Sequence, residues 1–371
     1  MLKSRNMQVV FLLLAVGGVI LSRIRAIPPT FKWPIDLEVY IGGGRFILDG
    51  QPLYDHGVAT SGIDLPFTYP PFAAILFATF SWLPLPVIII GYQLVTLFFA
   101  YLIGRWLGLP AFLMPVLMLC TQPGFSTLSF GQINIFLLTL IVADALDKRP
   151  SWLPRGSLIG IAAAIKVTPA IFVLYFLAKR DLKGVLGLIG GGAAATLLAA
   201  ALRPQDTWEY FTVALPNANR VGDPAYIHNA SINGVLSRLG FEAASDAVAI
   251  ASVALACWVA YRASKQGKDL VALCAVASAG LLFSPISWTH HFVWLPIIAV
   301  VALREGMPKA FGWWVGIATT LGLTLTAFNF WLADVAGAQY ALILIVFLLY
   351  FAKTGAASNK ETTPALAPNS V

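Results

Sequence analysis

Charge is what this chain has least of. Its 371 residues include only 24 Lys or Arg and 17 Asp or Glu, 11% in all, against roughly 25% in soluble domains. So few charges cannot keep a globular surface wet, and a soluble fold is excluded. The 58% hydrophobic content and mean hydropathy of +0.80 place the chain in a bilayer instead. Cysteine is scarce too: Cys120, Cys257 and Cys274 lie far apart inside apolar segments, which excludes a disulfide framework and a zinc-type ligand spacing. No metal and no cofactor are expected. The net charge of +7 does not point to nucleic acid, because the basic residues stand singly or in pairs between apolar runs rather than on one face.

What is present is a series of apolar runs from 8–22 to 338–352. Crossing about 30 Å of hydrocarbon takes about 20 such residues, and several runs, 72–83 and 110–121 among them, are too short for that. The expected fold is all-α, a polytopic membrane bundle of about 10–12 transmembrane helices with some short or re-entrant ones. It forms one domain over residues 1–353, followed by a disordered cytoplasmic tail over 354–371. Lys3 and Arg5 precede an apolar run that lacks a small-residue cleavage site, so that run is read as a retained first span. Two wet, turn-rich stretches, about 25–68 and about 203–240, are the outer loops.

Two topologies fit these runs. With every run crossing, Lys and Arg divide almost evenly between the two sides. If 72–83 dips in from outside and 157–178 is a hairpin dipping from the cytoplasm, Arg105, Lys148, Arg149 and Arg155 move inside and the inner side becomes clearly basic, as charge-directed insertion favours. Both topologies keep the two loops and residues 284–290 on the outer side.

The outer stretch FKWPIDLEVYIGGG raises the question of chemistry. Helical spacing puts Tyr40 one turn and Gly43 two turns beyond Asp36, so that a carboxylate, a phenol and bare backbone face one way, a surface suited to a sugar. The alternative is that Asp36 caps a short interfacial helix after Pro34, one stopped by Gly50. IGGGRF lacks the flanking strand and the Lys-Ser/Thr ending of a phosphate loop. In SPISWTHHF, the adjacent His290 and His291 suit hydrogen bonding to phosphate or hydroxyl oxygens better than a shared metal, with Trp288 offering an aromatic face. The alternative there is an interfacial aromatic belt. Lys166, in AAAIKVTPA, is costly inside a bilayer unless it meets an anion or water. Either a lipid phosphate is its partner, or a protein group such as Asp144 or a carbonyl. GQINIF and HNASINGV add side-chain amides beside spans, Asn229 and Asn233 among them, which recognise hydroxyls or satisfy exposed backbone. FTYPPFA sets Tyr69 before a Pro-Pro helix start. Asn229-Ala230-Ser231 also matches a glycosylation sequon.

Taken in order, WPIDLEVY, GGGRFILDGQPLYD, FTYPPFAAILF, SFGQINIF, GIAAAIKVTPAIF, HNASINGV and SPISWTHHF resemble glycosyltransferase family 87, bacterial enzymes of the GT-C class that use polyprenyl-phosphate sugars. The resemblance covers roughly residues 30–300. It implies a GT-C type bundle in the bacterial inner membrane whose site faces the extracytoplasmic side. The donor would be a polyprenyl-phosphate sugar, mannose first, and the acceptor a glycolipid or lipoglycan. By the same resemblance Asp36 is the general base and Tyr40, Lys166, His290 and His291 line the site. The family's histidine motif often has an acid where this chain has Thr289. With one base and no protein nucleophile, inversion is expected. A secondary transporter is the rival reading, but such carriers place acids within spans and show repeat symmetry, whereas here the charge within a run is Lys166.

Overall fold

The computed structural model describes residues 34–217, 222–325 and 330–357, with side chains excepted at 321–325, 330–337 and 355–357. The expected first span and the tail beyond Ala357 lie outside them. Helix α1 (Ile35–Leu48) leads into a short hairpin of β1 (Gly57–Ala59) and β2 (Asp64–Pro66). Then come α2 (Pro71–Ala78), α3 (Leu85–Trp106), α4 (Leu113–Cys120), α5 (Gln122–Phe130), α6 (Asn134–Ala145), α7 (Ser157–Ile165), α8 (Val173–Ala178), α9 (Leu182–Leu202) and α10 (Pro204–Glu209). The second half holds α11 (Ile232–Arg238), α12 (Glu242–Lys265), α13 (Asp269–Phe283), α14 (Leu295–Arg304), α15 (Lys309–Leu325) and α16 (Phe330–Ala357). Short 3-10 turns over Thr168–Phe172 and Thr289–Trp294 introduce α8 and α14.

The expected all-α membrane architecture is what forms. Among the described residues, α3, α9 and α12 are long and apolar enough to cross a membrane, and α5 with α6 make a fourth such segment bent by 118°. The remaining apolar helices are shorter, and packing explains them. Helix α13 has 15 residues and buries residues on every side, from Val271 to Leu282, so it is wrapped by protein and needs no lipid-facing length.

Between α6 and α9 the chain turns back on itself as a hairpin, with α7 and α8 as its two arms. Gly156, Gly160 and Gly187 let α7 and α9 meet backbone to backbone: a Cβ at Gly160 would lie 2.2 Å from the Leu188 carbonyl oxygen, and one at Gly187 1.8 Å from that of Arg155. Both feet of the hairpin stand together, because Arg155 Nε lies 2.5 Å from Asp181 and Gly184 abuts the Phe176 ring. Its tip is Lys166, where helical geometry breaks to an extended residue (φ −147°, ψ 127°) before Pro169. Ala164, just before the tip, clusters with Ala195 and Ala199, so Lys166 sits near the end of α9 that leads into Arg203 rather than halfway along a span.

Polar contacts sort the bundle into two ends. Asp144 at the end of α6 accepts from the Gly156 amide at 2.8 Å, Lys179 pairs with Asp269, Lys268 with Glu305 at 3.1 Å, and Arg304 donates to the Leu107 carbonyl at 2.5 Å. These links join the far ends of α3, α6, α9, α13 and α14. The opposite end carries α1, the hairpin tip and residues 284–291.

Candidate active site

Helix α1 starts after Pro34, which has no side-chain cap, and stops at Asp49 and Gly50, the latter at φ +69°. Asp36 does not cap it. Its Oδ2 instead accepts a hydrogen bond from Gln132 Nε2 at 2.7 Å. Gly131 makes that possible: it ends α5 in the left-handed region at φ +79°, and a Cβ there would lie 2.4 Å from Leu37 Cβ. Only glycine lets the α5–α6 bend come this close to α1.

One turn beyond Asp36, the Tyr40 hydroxyl lies 2.7 Å from that of Tyr69 and 3.2 Å from Gln132 Oε1. An amide oxygen only accepts, so Tyr40 donates to Gln132 and Tyr69 donates to Tyr40. Tyr40 is fully buried and stacks on Phe77, with ring centres 4.7 Å apart. Burial pushes the Asp36 carboxyl up to about 6, against the pull of the Gln132 hydrogen bond and the Lys166 charge. Burial, with the Asp36 charge nearby, also raises both phenols well above their ordinary range, so they remain donors at neutral pH.

The glycine run is a packing device, not the open sugar-facing backbone expected at Gly43. A Cβ at Gly43 would strike Phe67 at 2.4 Å, one at Gly42 would strike Val58 at 2.1 Å, and one at Gly44 would meet the α2 backbone at 2.8 Å. Glu38 points away from Asp36, accepting from the Ser61 amide at 3.1 Å and its hydroxyl at 2.7 Å, as two residues apart on a helix requires.

Lys166 does not pair with Asp144, which is occupied at the hairpin's foot. Its Nζ lies 3.1 Å from His291 Nε2 and 3.4 Å from Asn134 Oδ1, and 5.6 Å from the Tyr69 ring centre. Asn134 in turn donates to the His290 carbonyl at 2.9 Å. His290 is buried against Phe130, and among the described residues its Nε2 has no hydrogen-bond partner. Below Lys166 opens a cleft that is partly continuous with the outside. Its lining is polar at Lys166, Asn134, Thr168, His291, Ser284 and Ser287 and apolar elsewhere, including Leu138, Phe172, Leu281 and Trp294.

Of the expected site residues, Asp36, Tyr40, Tyr69, Lys166, His290 and His291 come together. Asn229 does not join them as a ligand group. It is fully buried, donates to the carbonyls of Pro224 and Pro285 at 2.9 and 3.0 Å, and accepts from the amides of Ser231 and Ser287. All its capacity ties the second turn-rich stretch to residues 284–288, which also removes it as a glycan acceptor. Asn233 donates to the same Pro285 carbonyl at 3.4 Å. Trp288 packs edge-on to Tyr226, ring centres 5.8 Å apart, in the same junction. Gln132 and Asn134 had been visible only as amides in GQINIF. The signal that singles them out is that buried amides need partners, and theirs are Asp36 and Lys166.

The model of glycosyltransferase family 87 matches residues 67–285. A polyprenol-phosphate-mannose-dependent alpha-(1-2)-phosphatidylinositol mannoside mannosyltransferase of Mycolicibacterium smegmatis is 34% identical, the alignment covering 97% of this chain and 93% of that protein. Its counterpart in Mycobacterium tuberculosis is 37% identical over 72% of this chain and 70% of its own length. A polyprenol-phosphate-mannose-dependent alpha-(1-2)-phosphatidylinositol pentamannoside mannosyltransferase, also from Mycobacterium tuberculosis, is 34% identical over 70% of this chain and 64% of its own length. Among solved structures, ArnT from Cupriavidus metallidurans bound to undecaprenyl phosphate overlaps 98% of this chain and 82% of its own, at 15% identity and a TM-score of 0.42, a likeness too loose to argue from. On the family match and the near end-to-end relative, this chain belongs to glycosyltransferase family 87 and is a membrane glycosyltransferase.

Proposed function

We propose that the protein transfers mannose from a polyprenyl-phosphate donor to a lipid-linked glycan acceptor on the extracytoplasmic side of the bacterial inner membrane, with inversion at the anomeric carbon and Asp36 as general base. The observation that carries this reading is the arrangement around Lys166. On one side stands a carboxylate to which, among the described residues, no counter-ion is bonded, and on the other a cleft whose lining is part polar and part apolar, the combination a phosphate with a hydrocarbon tail requires. The names of the relatives supply mannose, the polyprenol phosphate and the glycolipid class.

In this mechanism the acceptor hydroxyl attacks the anomeric carbon while Asp36 takes its proton. The bond between that carbon and the phosphate oxygen breaks, and polyprenyl phosphate leaves. Lys166, supported by His291, stabilises the charge that gathers on the leaving phosphate. General-base help is typically worth ~10²–10⁴ in rate. A retaining route would need a second carboxylate in the site, and Glu38 is bound to Ser61 on another face of α1. Charge supports this orientation: Arg149, Arg155, Lys179, Lys268 and Arg304 make contacts at the end away from Asp36, against Arg45, Arg203 and Arg238 at the other, and such residues favour the cytoplasm.

The test uses the purified full-length protein with polyprenyl-phosphate mannose labelled in the sugar and a phosphatidylinositol mannoside acceptor. Wild type is expected to consume donor and label the acceptor, and Asp36→Asn to abolish transfer at unchanged protein yield. Full transfer by Asp36→Asn would overturn the base assignment; an intact donor with wild type would overturn the substrate reading.

A further inference from the structure

The structure carries a chain of neutral groups that runs from the packed interior to Asp36 and that the mechanism above does not use. Tyr69 donates to Tyr40, Tyr40 to Gln132 Oε1, and Gln132 Nε2 to Asp36 Oδ2. Resting on the Asp36 reading, we propose that Gln132 is a positioning residue for the base: its amide locks the carboxylate by Oδ2, leaving Oδ1 to take the acceptor's proton, while the Tyr40–Tyr69 hydroxyl pair fixes which way the amide faces.

Three features argue for it. First, the torsion that turns a carboxylate is broad and roughly two-fold, so Asp36 alone would present either oxygen at a range of angles. Among the described residues Gln132 is the one hydrogen-bonding partner of that carboxylate, and Oδ1 has none. Second, a glutamine amide has two faces that differ by exchange of O and NH₂, and the wrong one would set an oxygen against the carboxylate. Tyr40, fully buried and stacked on Phe77, offers its proton to Oε1 and selects the right face. Third, Gln132 is itself held: it is 4% exposed, follows the Gly131 close approach, and its carbonyl accepts from the Tyr92 hydroxyl at 2.9 Å.

The chemistry explains why the anchor is an amide. An Arg or Lys in this place would orient the carboxylate equally well but would make it a much weaker base. A neutral donor orients it at a smaller cost in basicity. The titratable groups facing Asp36 are Lys166 on the hairpin tip, Tyr40 on its own helix, Tyr69 ahead of α2 and Tyr92 on α3. Only Lys166 among them is charged at neutral pH, and it is bonded to His291 and Asn134 rather than to Asp36.

The experiment measures transfer by the full-length protein as a function of pH for wild type, Gln132→Met, Tyr40→Phe and Asp36→Asn. Gln132→Met keeps length and volume and removes the amide. It is expected to lower kcat roughly 10- to 100-fold, the scale of a misplaced catalytic group, with KM for the donor within about threefold. Removing a donor to the charged form also moves the acidic limb of kcat/KM to higher pH. Tyr40→Phe, which removes one oxygen, is expected to move the limb the same way and cost roughly 3- to 10-fold, since the amide then flips freely. If Asp36→Asn is inactive while both other variants keep the wild-type rate and limb, the positioning role is overturned and the base reading stands. A loss of rate with an unmoved limb likewise overturns it in favour of a purely structural role. If Asp36→Asn retains full transfer, the base reading itself falls. Should Gln132→Met fail to fold, Tyr40→Phe decides on the same two readouts.

Discussion

At the feet of the 157–178 hairpin, charges close on one another. Asp147 pairs with Arg149 and, at 2.9 Å, with Arg155; Arg155 also holds Asp181; and fully buried Asp144 accepts two backbone amides with Arg149 3.9 Å away. At the tip of the same hairpin, Lys166 touches an imidazole and an amide, and nearby Asp36 touches an amide. Among the described residues no salt bridge joins the two. Sequestered charge is costly unless paired, so the feet show what this fold does when a charge only has to hold helices together. The tip keeps one acid and one base unpaired in a polar setting, the condition for meeting a ligand that brings its own charge and proton.

This contrast can be broken by exchanging the two kinds of defect. Lys166→Met is expected to lower transfer on the order of 10²-fold, the scale of losing one charge-stabilising donor, with little change in melting temperature. An equal loss of stability would make Lys166 a structural cation like those at the feet. The pH dependence is the next largest effect. Asp36 must be ionised to take a proton, so kcat/KM is expected to fall as pH drops through about 6, approaching tenfold per unit below it; a flat profile down to pH 5 would contradict the assignment.

Stability sharpens the same contrast with opposite signs. Asp144→Ala is expected to cost about 1–3 kcal/mol in denaturation experiments by stranding the Gly156 and Ile159 amides, while kcat of the folded fraction stays near wild type. Asp36→Asn should instead melt somewhat higher than wild type at pH 7–8. The folded-state pKa of Asp36 is raised from the ordinary 3.8 to about 6, so its ionisation weakens the fold as pH rises between those values and the whole penalty is present at pH 7–8. The advantage of Asn should therefore shrink below about pH 6. The smallest effect belongs to Glu38→Gln, which keeps an acceptor for Ser61 and is expected to change kcat less than about threefold, inside the range of a surface polar exchange. A loss matching that of Asp36→Asn would reinstate a two-carboxylate mechanism.

Much of the site was legible in residue types. A Pro start and an Asp-Gly stop bracketed α1 almost to the residue, and Lys166 stood out because nothing near it in the chain resembles it. The misreadings share one cause. Gly43 read as open backbone because glycine removes a side chain, but whether the space stays open depends on Phe67, which local spacing cannot place. Asn229 read as a sugar-facing amide because a buried amide and an exposed one have the same letter; its four partners are up to 58 residues away.

By itself, then, the sequence determined the solvent and the menu: so few charges and so many apolar runs admit only helices in a membrane, because backbone polar groups in hydrocarbon must bond within their own segment. Tertiary structure alone decided which rare polar groups meet. Gln132 reaches Asp36 across 96 residues of chain, and Lys166 reaches His291 across 125. Hydropathy and helical period are local quantities, while those meetings depend on a 118° bend at Gly131 and a glycine-lined hairpin whose partners lie elsewhere in the chain.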